Sequence, residues 1–171
     1  LGPPPARLQL GADTRELALS VAGAHQALNA AAAVAVALAL GLDVETFARR
    51  LGATSGSDWR MDIHTGRFTV VNDAYNANPQ SVEAALRTVV EMAESRSIAG
   101  LGPLAELGSV CGAELRRIGA RAEQLGVDRR IGVGVERGDW LGGRTVTRDG
   151  AGLGGAAGAL RAIVGPGEVV W

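Results

Sequence analysis

Residues 58–171 predict an α/β domain, a mostly parallel sheet with helices on its faces. Short runs rich in β-branched residues, Thr69–Val71 and Ile131–Val135, have the length and apolarity of buried strands. Other stretches carry apolar residues at helical spacing: Val82, Ala85, Leu86, Val89 and Ala93, then Leu115, Ile118 and Ala122. The third observation is their order, because strands that alternate with helices favour parallel pairing.

Composition narrows the function. A length of 171 residues accommodates one large domain, or one domain with part of another. The 47% hydrophobic content is that of a soluble globular protein, and a formal net charge of -1 offers no basic face to nucleic acid. Cys111 is the single cysteine, which excludes an internal disulfide and a Cys-rich zinc site and suits a reducing compartment. All 17 basic residues are arginines, so no lysine-dependent phosphate loop, Schiff base or lysine general base lies within this sequence. The apolar run Ala30–Leu40 is too short to span a bilayer, so no membrane insertion is expected. Leu1–Ala6 lacks the charged start and apolar core of a signal peptide, and both ends read as those of a fragment.

In chain order, Ala6–Leu10 and Glu16–Val21 alternate about Gly11–Thr14 and predict a hairpin or two edge strands. An alanine-rich helix then runs to about Leu40 and is closed by Gly41; a second follows Asp43, over about Val44–Leu51. His25, Gln26 and Asn29 stand at the start of the first helix, the last two one turn apart on the same face. Carboxamides both donate and accept, which suits a nucleotide base; a capping cluster that binds nothing is the alternative. The small residues of Gly52–Ser57 mark a boundary between residues 1–56 and 58–171.

Asp58–Asp62 precedes a strand at Ile63 and a turn at Thr65-Gly66. Arg60 is suited to bidentate phosphate binding, or is an ordinary linker arginine; His64 reads as a surface or turn histidine. Thr69–Val71 empties into a polar loop, Asn72–Asn78, and Pro79 opens a helix that Asn78 can cap. The loop brings a carboxylate (Asp73), three amides (Asn72, Asn76, Asn78) and a phenol (Tyr75) to a helix N-terminus. That is the composition of a polar ligand site, with an Asn-rich capped turn as the plainer alternative. Gly100-Leu-Gly102 suggests a dinucleotide-binding turn, but Ala105 occupies the third glycine position. A helix over Gly112–Leu125 sets Arg116, Arg117 and Arg121 opposite its apolar face, and Cys111 reads as a small packed thiol. Ile131–Val135 is followed by a loop through Trp140. A short strand at Thr145–Thr147, a glycine-rich helix from about Leu153 to Ile163 and a strand from Glu168 complete the chain.

The octet Asn72-Asp73-Ala74-Tyr75-Asn76-Ala77-Asn78-Pro79 resembles the signature of the Mur ligases, and within them that of the MurF type. His25 to Asn29 is similar to the family's His-Asn-x-x-Asn motif, with Gln26 where many members carry Asn. Arg60 matches by position an arginine that reaches the phosphates of ATP. Ser97–Gly108 resembles the family's strand and loop ending in Glu-Leu-Gly, with Glu106 at the loop's end. Leu115 stands where members usually have histidine, and Ser109–Cys111 where they have acidic residues, so the resemblance assigns that region no role.

The resemblance implies that residues 1–56 end a central ATP-binding domain and that residues 58–171 form most of a Rossmann-like C-terminal domain, truncated at its end. It implies an ATP-dependent, amide-forming ligase of the bacterial cytoplasm, acting in peptidoglycan precursor synthesis. That enzyme would add D-alanyl-D-alanine to UDP-N-acetylmuramoyl-tripeptide through an acyl phosphate, as a monomer. His25, Gln26 and Asn29 would contact nucleotide, Arg60 its phosphate and Asp73 its ribose, while Tyr75, Asn76 and Asn78 would line the substrate side. Mg2+ would be required, with its ligands, the phosphate loop and a lysine-bearing strand outside these residues; the chain by itself should be inactive. Two other readings stand beside it, a non-catalytic nucleotide- or peptide-binding relative and a dehydrogenase binding NAD at Gly100–Gly108.

Overall fold

A computed structural model describes residues 6–10, 13–54, 56–135, 144–146 and 152–171, without the side chains of 10, 13, 144–146, 152–156 and 159. The expected loop through Trp140 and Thr147 of the short strand fall outside these residues.

Strands β1 (Ala6–Leu10) and β2 (Asp13–Leu17) pair antiparallel with Ala6 opposite Leu17, so the hairpin is the alternative that holds, but β2 starts at Asp13, within the expected turn, and ends at Leu17 rather than Val21. Helices α1 (Ala24–Ala39) and α2 (Val44–Gly52) follow, α2 capped by Asp43, which accepts from the Thr46 N–H at 2.9 Å. The main sheet holds β3 (Asp62–Thr65), β4 (Thr69–Asn72), β5 (Ser97–Leu101), β6 (Arg129–Val133), β7 (Arg144–Val146) and β8 (Val169–Val170). Their order is β3-β4-β8-β5-β6-β7, parallel throughout except for the edge strand β3. The mostly parallel α/β fold is therefore as the sequence predicts. β6 begins two residues earlier than the apolar run, since Arg129 and Arg130 pair with Ile98 and Ala99 of β5. His64 lies within β3 rather than a turn; it is exposed, and its Nε2 is 3.0 Å from Asp62 Oδ2.

Alternate residues of the strands face opposite layers. Ala99 and Leu101 of β5 pack with Val82 and Leu86 of helix α3 (Pro79–Met92) and with Leu115, Ile118 and Ala122 of α4 (Cys111–Leu125). Val71 of β4 and Val169 of β8 pack with Ala85 and Val89 on the same side. Ile98, Ile131 and Val170 face the other way, toward Leu160 and Ile163 of α5 (Gly152–Ile163). The helical stripe read from the sequence is thus the core face of α3, apart from Ala93, which is its C-cap. The arginine face of α4 is not simply solvated. Glu83 of α3 accepts from Arg121 Nε at 2.8 Å and lies 3.5 Å from Arg117 Nη1, tying the two helices.

Candidate nucleotide site at the end of β4

The signature loop leaves the carboxyl end of β4, the edge of a parallel sheet where ligand sites of open α/β folds form. Asn78 Oδ1 accepts from Gln80 N at 3.1 Å and Ser81 N at 3.0 Å, and Ser81 Oγ bonds the Asn78 N–H in return at 3.1 Å. This capping box, with Pro79 in the first turn, fixes where α3 starts and hence where the loop must end.

Backbone bonds tie the loop to the segment around Arg60. Asp73 Oδ1 accepts from Met61 N at 3.0 Å, and Tyr75 N donates to Trp59 O at 3.0 Å. Trp59 and Met61, the neighbours of Arg60, both take the left-handed conformation, with φ of 62° and 51°. Non-glycine residues adopt it at a cost of about 1 kcal/mol or more and keep it only where the surroundings impose it, often at a functional site. Between them Arg60 is exposed, with its Cζ 4.1 Å from the centroid of the Tyr75 ring.

Asp73 is half-buried, and desolvation pushes its carboxyl above the usual aspartate range. The Met61 N–H, the Trp171 indole, His25 and Arg60 each favour the charged form, but together they do not offset burial. His25, at the start of α1, is thus within electrostatic range of this carboxylate. The buried Trp171 Nε1–H exerts its influence on Asp73 but meets hydrogen-bond geometry with no partner among the described residues. A half-buried carboxylate whose charged form burial disfavours, with no ion pair to a cation among the described residues, marks a candidate functional position.

A cleft of about 270 Å³ opens beside Arg60, and Gln26 and Asn29 of α1 line it together with Ser20, Thr54 and Ser57. Asn29 Nδ2 donates to Gln26 Oε1 at 3.2 Å, which leaves each carboxamide further donor or acceptor capacity. The N-cap of α1 is Gly23, and no side chain caps it. A wider hollow of about 780 Å³ between the hairpin and α2 contains none of these residues.

Arg60, Asp73 and Tyr75 therefore come together, His25 is within electrostatic range of Asp73, and Arg60 joins the group to Gln26 and Asn29. Asn76 is exposed on the same loop without a hydrogen bond among the described residues. Asn78 commits its carbonyl oxygen to the cap and leaves its amide nitrogen uncommitted. Met61 and Trp171 were not legible as site residues, because one acts through its backbone N–H and the other from a strand far along the chain. Residues 102–110 separate β5 from α4, so Gly100-Leu-Gly102 does not lead directly into a helix as a dinucleotide turn must. Glu106 in that connection is exposed and left-handed, φ 68°. Among the described residues no three His, Cys, Asp or Glu side chains could together hold a metal ion, and no helix is long and apolar enough to cross a membrane.

Comparison with known proteins gives a consistent set of likenesses. Residues 59–147 match the family model for the Mur ligase, glutamate ligase domain. The chain is 41% identical over 130 residues to the UDP-N-acetylmuramoyl-tripeptide–D-alanyl-D-alanine ligase of Mycobacterium tuberculosis, covering 71% of this chain and 26% of that protein. This chain thus spans about a quarter of that relative's length. A crystal structure of MurF from Acinetobacter baumannii superposes with a TM-score of 0.80 at 26% identity, covering 97% of this chain and 38% of that one. MurF ligase from Thermotoga maritima, solved in complex with ADP, gives a TM-score of 0.77 at 21% identity over 96% of this chain and 40% of that one. At that identity the likeness is one of fold.

Proposed function

Because this chain belongs to the Mur ligase family through its glutamate ligase domain, we propose that it supplies the nucleotide-closing part of an ATP-dependent, amide-forming ligase of the MurF type. The substrates are UDP-N-acetylmuramoyl-tripeptide and D-alanyl-D-alanine, in peptidoglycan precursor synthesis in the bacterial cytoplasm, with the enzyme acting as a monomer. Residues 1–56 are the end of the ATP-binding domain, and residues 58–171 most of the C-terminal domain. The observation that carries this reading is the position of Arg60. It borders the cleft lined by Gln26 and Asn29 and touches the loop that carries Asp73.

The chemistry assigns each group a task. A carboxylate is a poor electrophile, and phosphorylation by ATP converts it to an acyl phosphate with a good leaving group. The dipeptide's amine then attacks the carbonyl carbon, the C–O bond to phosphate breaks, and an amide forms as phosphate leaves and the amine loses its proton. The in-plane N–H donors of Arg60 bind phosphate oxygens and stabilise the charge that builds up on them. Asp73, acceptor-only while ionised, takes hydrogen bonds from ribose hydroxyls. Gln26 and Asn29 offer donors and acceptors to the base, with His25 beside them. Tyr75, Asn76 and the amide nitrogen of Asn78 face the incoming dipeptide. Mg2+, when bound, adds charge neutralisation at the phosphates; its ligands lie outside this set. The residues' main contribution is to hold two reactants in contact, which supplies much of the rate gain in such transfers.

The test is a chimaera in which this chain replaces its matching segment in the Mycobacterium tuberculosis relative. It should ligate D-alanyl-D-alanine with ATP, and Asp73→Ala should lower kcat/KM by about a hundred-fold. The 171 residues alone, which lack any lysine for a phosphate loop, should not ligate. A folded but inactive chimaera would favour the non-catalytic reading.

A further inference from the structure

Tyr75 is 60% exposed, so its ring is not a core residue, and what it touches is Arg60. The guanidinium makes no hydrogen bond or ion pair among the described residues, although a carboxylate is close by. That carboxylate, Asp73, accepts the Met61 N–H instead. Arg60 is thus held in two ways. Its backbone is set by the left-handed residues on either side and by the bond from Tyr75 N to Trp59 O, and its head rests on the ring of the same tyrosine.

We propose that Tyr75 is a positioning residue for Arg60: its ring takes the face of the guanidinium and leaves the in-plane N–H donors free for a phosphate group. The inference rests on the reading of Arg60 as a phosphate ligand. A salt bridge to Asp73 would have consumed those donors, whereas a contact with the face of a ring does not. An exposed arginine otherwise samples many rotamers and loses that freedom on binding, so a ring that restricts it beforehand raises affinity. Aromatic rings hold a cation through their quadrupole, which Phe retains in weaker form and Leu lacks.

The test uses the 171-residue chain, ADP as the probe, and the variants Tyr75→Phe, Tyr75→Leu, Arg60→Ala and the Leu/Ala double variant. In the free protein the Arg60 Nε–H proton should be displaced upfield by the ring, keep that displacement in Tyr75→Phe and lose it in Tyr75→Leu. ADP affinity should fall about two- to five-fold in Tyr75→Leu, stay within about two-fold in Tyr75→Phe, and show no further loss when Tyr75→Leu is added to Arg60→Ala. An equal loss from Tyr75→Leu in both backgrounds would mean that the tyrosine touches nucleotide itself, and would overturn the proposal. So would undiminished affinity in Tyr75→Leu, or a parent spectrum without the upfield displacement. Undiminished affinity in Arg60→Ala would sink the phosphate role and the proposal with it. That result is told apart from a failure of positioning alone, in which Arg60→Ala still loses affinity while Tyr75→Leu does not.

Discussion

Asp73 carries a charge that the packing around it opposes. Burial raises its pKa above the ordinary aspartate value, so the native protein keeps that proton to a higher pH than the unfolded chain does. Through the window just above the ordinary value, this group therefore lowers stability as pH rises, and above the raised pKa the loss is constant. Asp73→Asn keeps an oxygen to accept the Met61 N–H and removes the charge. Denaturation in urea at pH 7 should find the variant at least as stable as the parent, with the gap closing as pH falls through the carboxylate range. A variant clearly less stable at pH 7 would mean that the carboxylate is structural. The octet made this residue conspicuous in the sequence; its isolation from a contacting cation was not legible, because that depends on which backbone N–H lies beside it.

Helices α3 and α4 illustrate what periodicity reveals and what it leaves out. Their apolar stripes appear in the sequence because burial repeats every 3.6 residues, and Leu86 and Ile118 are indeed fully buried. The charged faces carry no such period, so the meeting of Glu83 with Arg121 and Arg117 was hidden. The Arg121 hydrogen bond, with both guanidinium charges, lowers the Glu83 pKa. Its stabilisation is therefore present above the ordinary glutamate value and lost as pH falls through the lowered one. Because the cluster is open to solvent, Glu83→Gln should cost no more than about 1 kcal/mol, and less in high salt. A larger, salt-independent loss in urea titrations would contradict this. Strand boundaries were read less well than helices: the start of β6 is set by pairing of Arg129 with Ile98, a partner distant in sequence.

At the scale of the whole molecule, the start of α1 meets α3. Gly23 sits at φ 108°, and a Cβ there would lie 2.6 Å from His25 Cε1 and 2.8 Å from Thr88 Oγ1 of α3. Gly23→Ala should therefore destabilise the chain by about 1–3 kcal/mol and loosen α1 from α3. Unchanged hydrogen exchange at Thr88 would contradict that. This contact accompanies the placing of His25 within the electrostatic reach of Asp73, and no sequence pattern around either residue foretells it. Whether the start of α1 and the loop after β4 serve one ligand is tested most directly by an ADP titration of the backbone amide spectrum. Saturable shifts should appear together at Gln26, Asn29, Arg60 and Asp73, and vanish in Asp73→Ala. Shifts confined to one of the two segments, or centred on Gly100–Gly108, would contradict the account.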